Sequence, residues 1–291
     1  MGSIRRRLFL LAAAALLPLV VMAGFGVFIL VRKQHEEAAR AGIELTRALA
    51  IAVGAELGRS TSVLEAVATS PALDAGLLDE FHRRVARVVA TQANWRAIVV
   101  VDAEGRPVVD TRVPYGTPLA PLDDAAGFAR LRATSAPTIG SLVAKPDDRA
   151  SGLHFSVQVP VLREGALRYA VIALVEPAAI VDILKSQRVP ADWVISIFDA
   201  DGRRVARSRR HEQNLGEGGS PSVVALMANP ADEGWGLTTA VEGDRMYTAY
   251  SRLASVRWTV ATGIPVAFVD TTVGRSLLVF GGGVLLSLVI G

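Results

Sequence analysis

The sequence predicts an α+β chain in which two copies of one antiparallel β module follow a long N-terminal helix, with an apolar segment at either end. Three observations predict it. An uncharged run of 24 residues, Leu8–Val31, stands near the N-terminus, and a second apolar run goes from Leu277 to Gly291. After the first run, apolar residues recur at threes and fours as far as Ser70. Beyond it the period drops to 2, and one strand–turn–strand pattern occurs twice at an offset of 97 residues.

Residues 8–31 would make a helix of about 36 Å, enough to cross a hydrocarbon core of about 30 Å with some tilt. Residues 1–7 form a tail whose Arg5, Arg6 and Arg7 suit the basic head of a signal peptide. The apolar run is longer than the usual signal core of about 7–15 residues, however. No small-x-small site precedes Val31-Arg32-Lys33, so an uncleaved anchor is expected. Residues 277–291 would reach only about 22 Å, so a truncated second transmembrane helix is expected there. Both flanks of the first span are basic, with Arg32, Lys33, Arg40 and Arg47 on the far side, and local charge does not set the orientation. Long domains translocate largely regardless of charge. Residues 32–275 are therefore placed outside the cytoplasm, in a bacterial periplasm, with the spans in the inner membrane.

The helix runs from Gln34 to Ser70 with Leu45, Leu49, Ala52, Leu57, Ser60, Leu64 and Val67 on one face. Ser70-Pro71 ends it, because the residue before proline avoids the helical region. A second helix is expected over 77–93. Ala97–Val101 is a strand, Asp102-Ala-Glu-Gly105 a turn, and residues 106–111 the returning strand. A helix near 123–132 precedes strands at 138–143, 153–162 and 167–175. The hairpin then recurs: seven of the 15 positions from Ile98 to Arg112 are identical to those from Ile195 to Arg209. Strands at 236–241, 245–251 and 256–264 complete the second copy.

Composition excludes some functions. The chain has no cysteine, hence no disulfide, thiolate or iron–sulfur chemistry. With a net charge of +3 and scattered Arg, it lacks the concentrated footprint of a nucleic-acid partner. The most basic tract, Arg203–Arg210, alternates like a strand and reads as a solvated face. His35, His82, His154 and His211 have no partner at i+3 or i+4, so no metal site is expected. Leu215–Ser220 is glycine-rich but lacks the Lys-Ser/Thr of a phosphate cradle. No catalytic constellation is visible.

The layout resembles the double Cache sensor region, with its tandem PAS-like modules, of a bacterial transmembrane sensor histidine kinase. The resemblance is carried by the paired hairpins Ile98–Val108 and Ile195–Val205, and by Trp258-Thr-Val-Ala-Thr-Gly-Ile-Pro265 leading toward the second span. It implies a stalk helix over 32–70, a membrane-distal module over 71–176, a membrane-proximal module over 177–265 and a connector over 266–276. It further implies a small-molecule ligand in the distal module and a homodimer along the long helices. The phosphoacceptor helix and ATP-binding domain of such a kinase are absent from this chain, so no cofactor is expected here; ATP and Mg would belong to the kinase part. The same sensor on a nucleotide cyclase or chemotaxis output, and a stand-alone membrane-anchored binding protein, are the alternatives.

Under that resemblance the candidate ligand residues are Arg112 and Tyr115 beside the Pro-rich connection 113–121, His154 and Ser156 on the following strand, and Tyr169 on the next. Arg112 offers a fork of donors to an organic acid, and Tyr115 a ring or hydroxyl. Arg112 has an equivalent in Arg209, which equally suits a structural surface role. The Tyr/Arg/Trp/Tyr/Asp set of amino-acid-binding members is not complete here.

Overall fold

A computed structural model describes residues 2–143, 152–187 and 189–268. Helix α1 (Gly2–Ala68) is followed by α2 (Pro71–Asp74) and α3 (Leu78–Thr91). The first module comprises β1 (Trp95–Asp102), β2 (Pro107–Asp110), α4 (Ala125–Thr134), β3 (Thr138–Ile139), β4 (Phe155–Arg163) and β5 (Ala166–Val175). After α5 (Ala178–Ser186), the second comprises β6 (Val194–Phe198), β7 (Arg204–Arg207), α6 (His211–Asn214), α7 (Pro221–Met227), β8 (Glu233–Thr239), β9 (Arg245–Arg252) and β10 (Thr259–Pro265).

Both sheets are antiparallel and five-stranded, in the orders β2-β1-β5-β4-β3 and β7-β6-β10-β9-β8. These are one topology used twice, as the repeated hairpin predicts. The agreement extends to single atoms. Asp102 Oδ1 accepts from the N–H groups of Glu104 and Arg106, and Asp199 Oδ1 from those of Asp201 and Arg203. Gly105 and Gly202 close the two turns at φ +86° and +76°, where a side chain would be strained. Ile98 N–H donates to Thr111 Oγ1 and Ile195 N–H to Ser208 Oγ, both at 3.0 Å.

Each sheet has an inner and an outer face. The inner faces pack on α1, whose Leu49, Val53, Leu57 and Leu64 are buried at the helical spacing. One continuous core joins α1, α3, Ile98 and Val100 of β1, Phe155 and Val157 of β4, Ile195 and Ile197 of β6, and Trp258. The outer face of the first sheet is covered by α4 through Phe128 and Leu131, packed on Ala97, Val99, Val101, Ala170, Ile172 and Leu174. The second sheet carries α7 in the corresponding place, over Phe198, Tyr250 and Ala261.

Two expectations need amendment. The strand expected over 138–143 is only two residues long, with a separate bridge between Val143 and His154. At Gly140 a Cβ would stand 2.0 Å from Asp124 Oδ2, so the chain bends past that carboxylate and leaves the ladder. Arg204 and Arg207, read as solvated, are each 3 % exposed, because β7 is covered on both faces. As for the membrane, residues 8–31 lie within α1, and most of their side chains fall outside the description. Among the described residues no helix is long and apolar enough to cross a membrane. Residues 277–291 lie outside the described residues.

Candidate functional site

The outer face of the first sheet gathers three of the five candidate residues. Period-2 alternation puts Phe155, Val157 and Val159 of β4 toward α1, and therefore Ser156 and Gln158 under α4. Asp124, the N-cap of α4, accepts from Gly127 N–H at 2.8 Å, Ser156 Oγ at 2.6 Å and Gln158 Nε2 at 3.0 Å. That carboxylate is buried, and glycine at 127 and 140 makes room for it: a Cβ at either position would lie within 2.2 Å of its Oδ2.

Beside it, Asp123 stands 3.6 Å from His154 Nε2 and 3.3 Å from Arg112 Nη1. Arg112 is already engaged: its Nε and Nη2 donate to Asp110 at 2.7–3.0 Å, a forked pair that holds its guanidinium above the ordinary arginine range. Its donors are thus turned to Asp110 and Asp123 rather than left free.

His154 Nδ1 lies 3.1 Å from the Gly152 carbonyl oxygen and so carries the proton it donates there. Burial, the largest influence, lowers the imidazole pKa against that hydrogen bond and Asp123, while Arg96 and Arg112 add to the lowering. At neutral pH the ring is therefore uncharged, and Nε2 presents a lone pair. Neither Nε2 nor the buried Gln158 Oε1 has a hydrogen-bond partner among the described residues. Two acceptors thus stay unmet beside the carboxylates of Asp123 and Asp124, which are themselves held by Arg112, Gly127, Ser156 and Gln158. An unpaired buried polar atom costs about 1–3 kcal/mol.

The other two candidates lie elsewhere. Tyr169 faces inward with Val171 and packs against the α1 core, with Arg168 over its ring. Tyr115 is 47 % exposed, its ring centroid 6.0 Å from that of His82 on α3. Asp110, Asp123, Asp124 and Gln158 are the members that sequence reasoning missed. The one available signal was Asp123-Asp124 ahead of an apolar periodic stretch, the pattern of a helix N-cap.

No protein-family model and no curated protein sequence matches the chain. Solved structures do match it. The extracellular domain of a putative histidine kinase, rpHK1S-Z16, superposes with a TM-score of 0.59 at 20 % identity, covering 80 % of this chain and 95 % of that one. The ligand-binding domain of the Pseudomonas fluorescens chemoreceptor CtaA, in complex with L-isoleucine, gives 0.62 at 13 % identity over 83 % and 98 %. That of the Pseudomonas aeruginosa amino acid chemoreceptor PctB, in complex with L-Arg, gives 0.61 at 11 % over 79 % and 96 %. The chain therefore has the double-module Cache fold of extracellular ligand-binding domains from histidine kinases and chemoreceptors.

Proposed function

We propose that this chain is the extracytoplasmic sensing region of a transmembrane sensor histidine kinase, and that its distal module binds a small molecule bearing an amino group. The observation that carries the ligand reading is the pair of unmet buried acceptors, His154 Nε2 and Gln158 Oε1, beside Asp123 and Asp124. An ammonium brings three donors and a positive charge to that surface. An organic acid, the class that Arg112 suggests from sequence, would have to displace Asp110 from the guanidinium. The ligands named for CtaA and PctB, L-isoleucine and L-Arg, both carry an α-amino group. A chemoreceptor output is the second reading, since the same fold serves both classes.

Placement in a membrane is supported by α1. Met22, Phe25, Phe28 and Ile29 are 50–76 % exposed, which suits lipid rather than water. The homodimer is proposed along the same helix, where Ile51 is 67 % exposed. Ligand binding shifts the output only by its differential affinity for two states of the receptor.

The test is thermal unfolding of the full chain in detergent micelles, with small primary amines and amino acids against alcohols of the same carbon skeleton. Amines are expected to raise Tm by about 3 °C or more, and Gln158→Leu to remove the rise. Acid should weaken the shift. The folded pKa of His154 lies below its unfolded value, so the native state gives up stability as pH falls through about 6.5 toward that lowered pKa. Protonation also turns Nε2 from acceptor to donor. Equal shifts from alcohols and amines, or an undiminished shift in Gln158→Leu, would count against the assignment.

A further inference from the structure

The duplication lets the two modules be compared position by position, and the second reverses the charge found at Asp110. At the offset of 97, Asp110 corresponds to Arg207 and Pro107 to Arg204. The register confirms the equivalence: Val99 opposes Asp110 across β1 and β2, and Ser196 opposes Arg207 across β6 and β7. Where the first module presents carboxylates beneath α4, the second presents guanidinium groups beneath α7.

These two arginines differ in how they are matched. Arg207 gives Nη1 and Nη2 to Glu242 at 2.6 and 2.8 Å, and that pair pulls the Glu242 carboxyl down to about 2. Arg209 completes the arrangement through Asp244 at 3.2 Å. Arg204, equally buried, forms no ion pair among the described residues. Both of its side-chain hydrogen bonds come from Nη1, to the backbone and side-chain oxygens of Asn214 at 3.3 and 3.2 Å. Its Nε is buried without a partner, and its guanidinium carbon lies 5.2 Å from the centroid of the Phe198 ring. Burial, followed by the repulsion of Arg207, brings its pKa down to about 10, so it remains charged at neutral pH. Glu242 and Glu217 attract it from a distance and offset part of that lowering, but neither carboxylate reaches the guanidinium, and a buried charge without a contacting partner is costly to hold.

Arg204 also lines a cavity of about 40 Å³ between the second sheet and α7. The walls combine the Ser196, Thr238 and Thr248 side chains with the apolar Val194, Val223 and Met246. Thr238 and Thr248 share a hydrogen bond of 2.7 Å, which leaves one of their two protons free to donate. A water needs about 10–15 Å³ on this measure, so the space holds about three water-sized positions. An aliphatic acid of two or three carbons meets all the requirements: a carboxylate for the unmatched fork, an acceptor for the hydroxyls and a short apolar tail.

We propose that the membrane-proximal module binds a short-chain monocarboxylate at Arg204, under α7, in a site separate from the amine-binding face of the distal module. The receptor then takes two inputs of opposite charge through the two descendants of one ancestral module.

The test is thermal unfolding of the full chain in detergent micelles, followed by tryptophan fluorescence in a carboxylate-free buffer. Sodium acetate and sodium propionate are compared with sodium chloride at equal ionic strength. Acetate is expected to raise Tm by about 3 °C more than chloride. Arg204→Met, which removes the charge at similar volume and also the two hydrogen bonds to Asn214, should abolish that difference. Thr248→Val, which keeps the shape, should reduce the shift, and Gln158→Leu should leave it intact. Equal shifts from chloride and acetate would overturn the proposal. So would an Arg204→Met protein that still responds to acetate.

Discussion

Trp258→Ala is expected to destabilise the chain by about 3–5 kcal/mol, the range for deleting a large buried aromatic. Trp258 precedes β10 in the second module, is fully buried and meets Phe155 of the first module edge to face, with ring centroids 5.0 Å apart. Phe155 lies on β4, the strand that also supplies Ser156 and Gln158 to the candidate amine site. The contact thus belongs to the core shared by both modules and α1. A single unfolding transition is expected for the wild type, and for the variant a drop in Tm of about 10 °C. Denaturant titration of both proteins measures it. A loss below about 1 kcal/mol would mean that the two modules do not share a core.

The second large effect is expected at Asp199. Its Oδ1 holds the turn of its own hairpin, and its Oδ2 accepts the Leu142 N–H of the first module at 2.8 Å. Arg203 completes the clasp by donating to the Leu142 carbonyl at 3.3 Å. The next residue, Val143, pairs with His154 through two backbone hydrogen bonds of 2.8 and 3.1 Å. The candidate ligand face is therefore one short backbone ladder away from the hairpin of the second module. Asp199→Ala leaves three backbone donors without their acceptor and is expected to cost about 3 kcal/mol. Asp102→Ala, at the equivalent turn in the first module, removes two acceptor contacts in an exposed setting and should cost about 1 kcal/mol. Burial pushes the Asp199 carboxyl up despite its donors, so Asn, which keeps an acceptor oxygen, should be tolerated better than Ala. Equal costs at 199 and 102 would deny the clasp.

Much of this architecture is legible in the sequence. The hairpins carry their own signal, an Asp that caps the turn and a Gly at positive φ, and the duplication doubles it. The helices α5, α6 and α7 carry little, because four to nine residues give too few turns for a period to emerge. The sites were harder still. Alternation in β4 and β5 sorts residues into two faces without saying which one meets α1. Tyr169 therefore looked as suitable as Ser156, and the packing of Val171 and Ala173 on the core places it on the inner side. Arg204 and Arg207 read as solvated for the related reason that strand charge normally faces water. The cover supplied by α5 on one side, and by α6 and the residues around Glu242 on the other, turns both faces of β7 inward. Arg112 is present at the predicted place, but its role follows from Asp110 and Asp123, which no local motif announces.

Hydrogen–deuterium exchange of the full chain in detergent, with and without a saturating amine, tests the central claim most directly. Slowed exchange is expected at residues 124–128 and 152–158, extending to 142–143 and through Asp199 to 199–203, with the extension lost in Asp199→Ala. Unchanged exchange at 124–128 and 152–158 under saturating ligand would contradict the distal site and the receptor reading built on it.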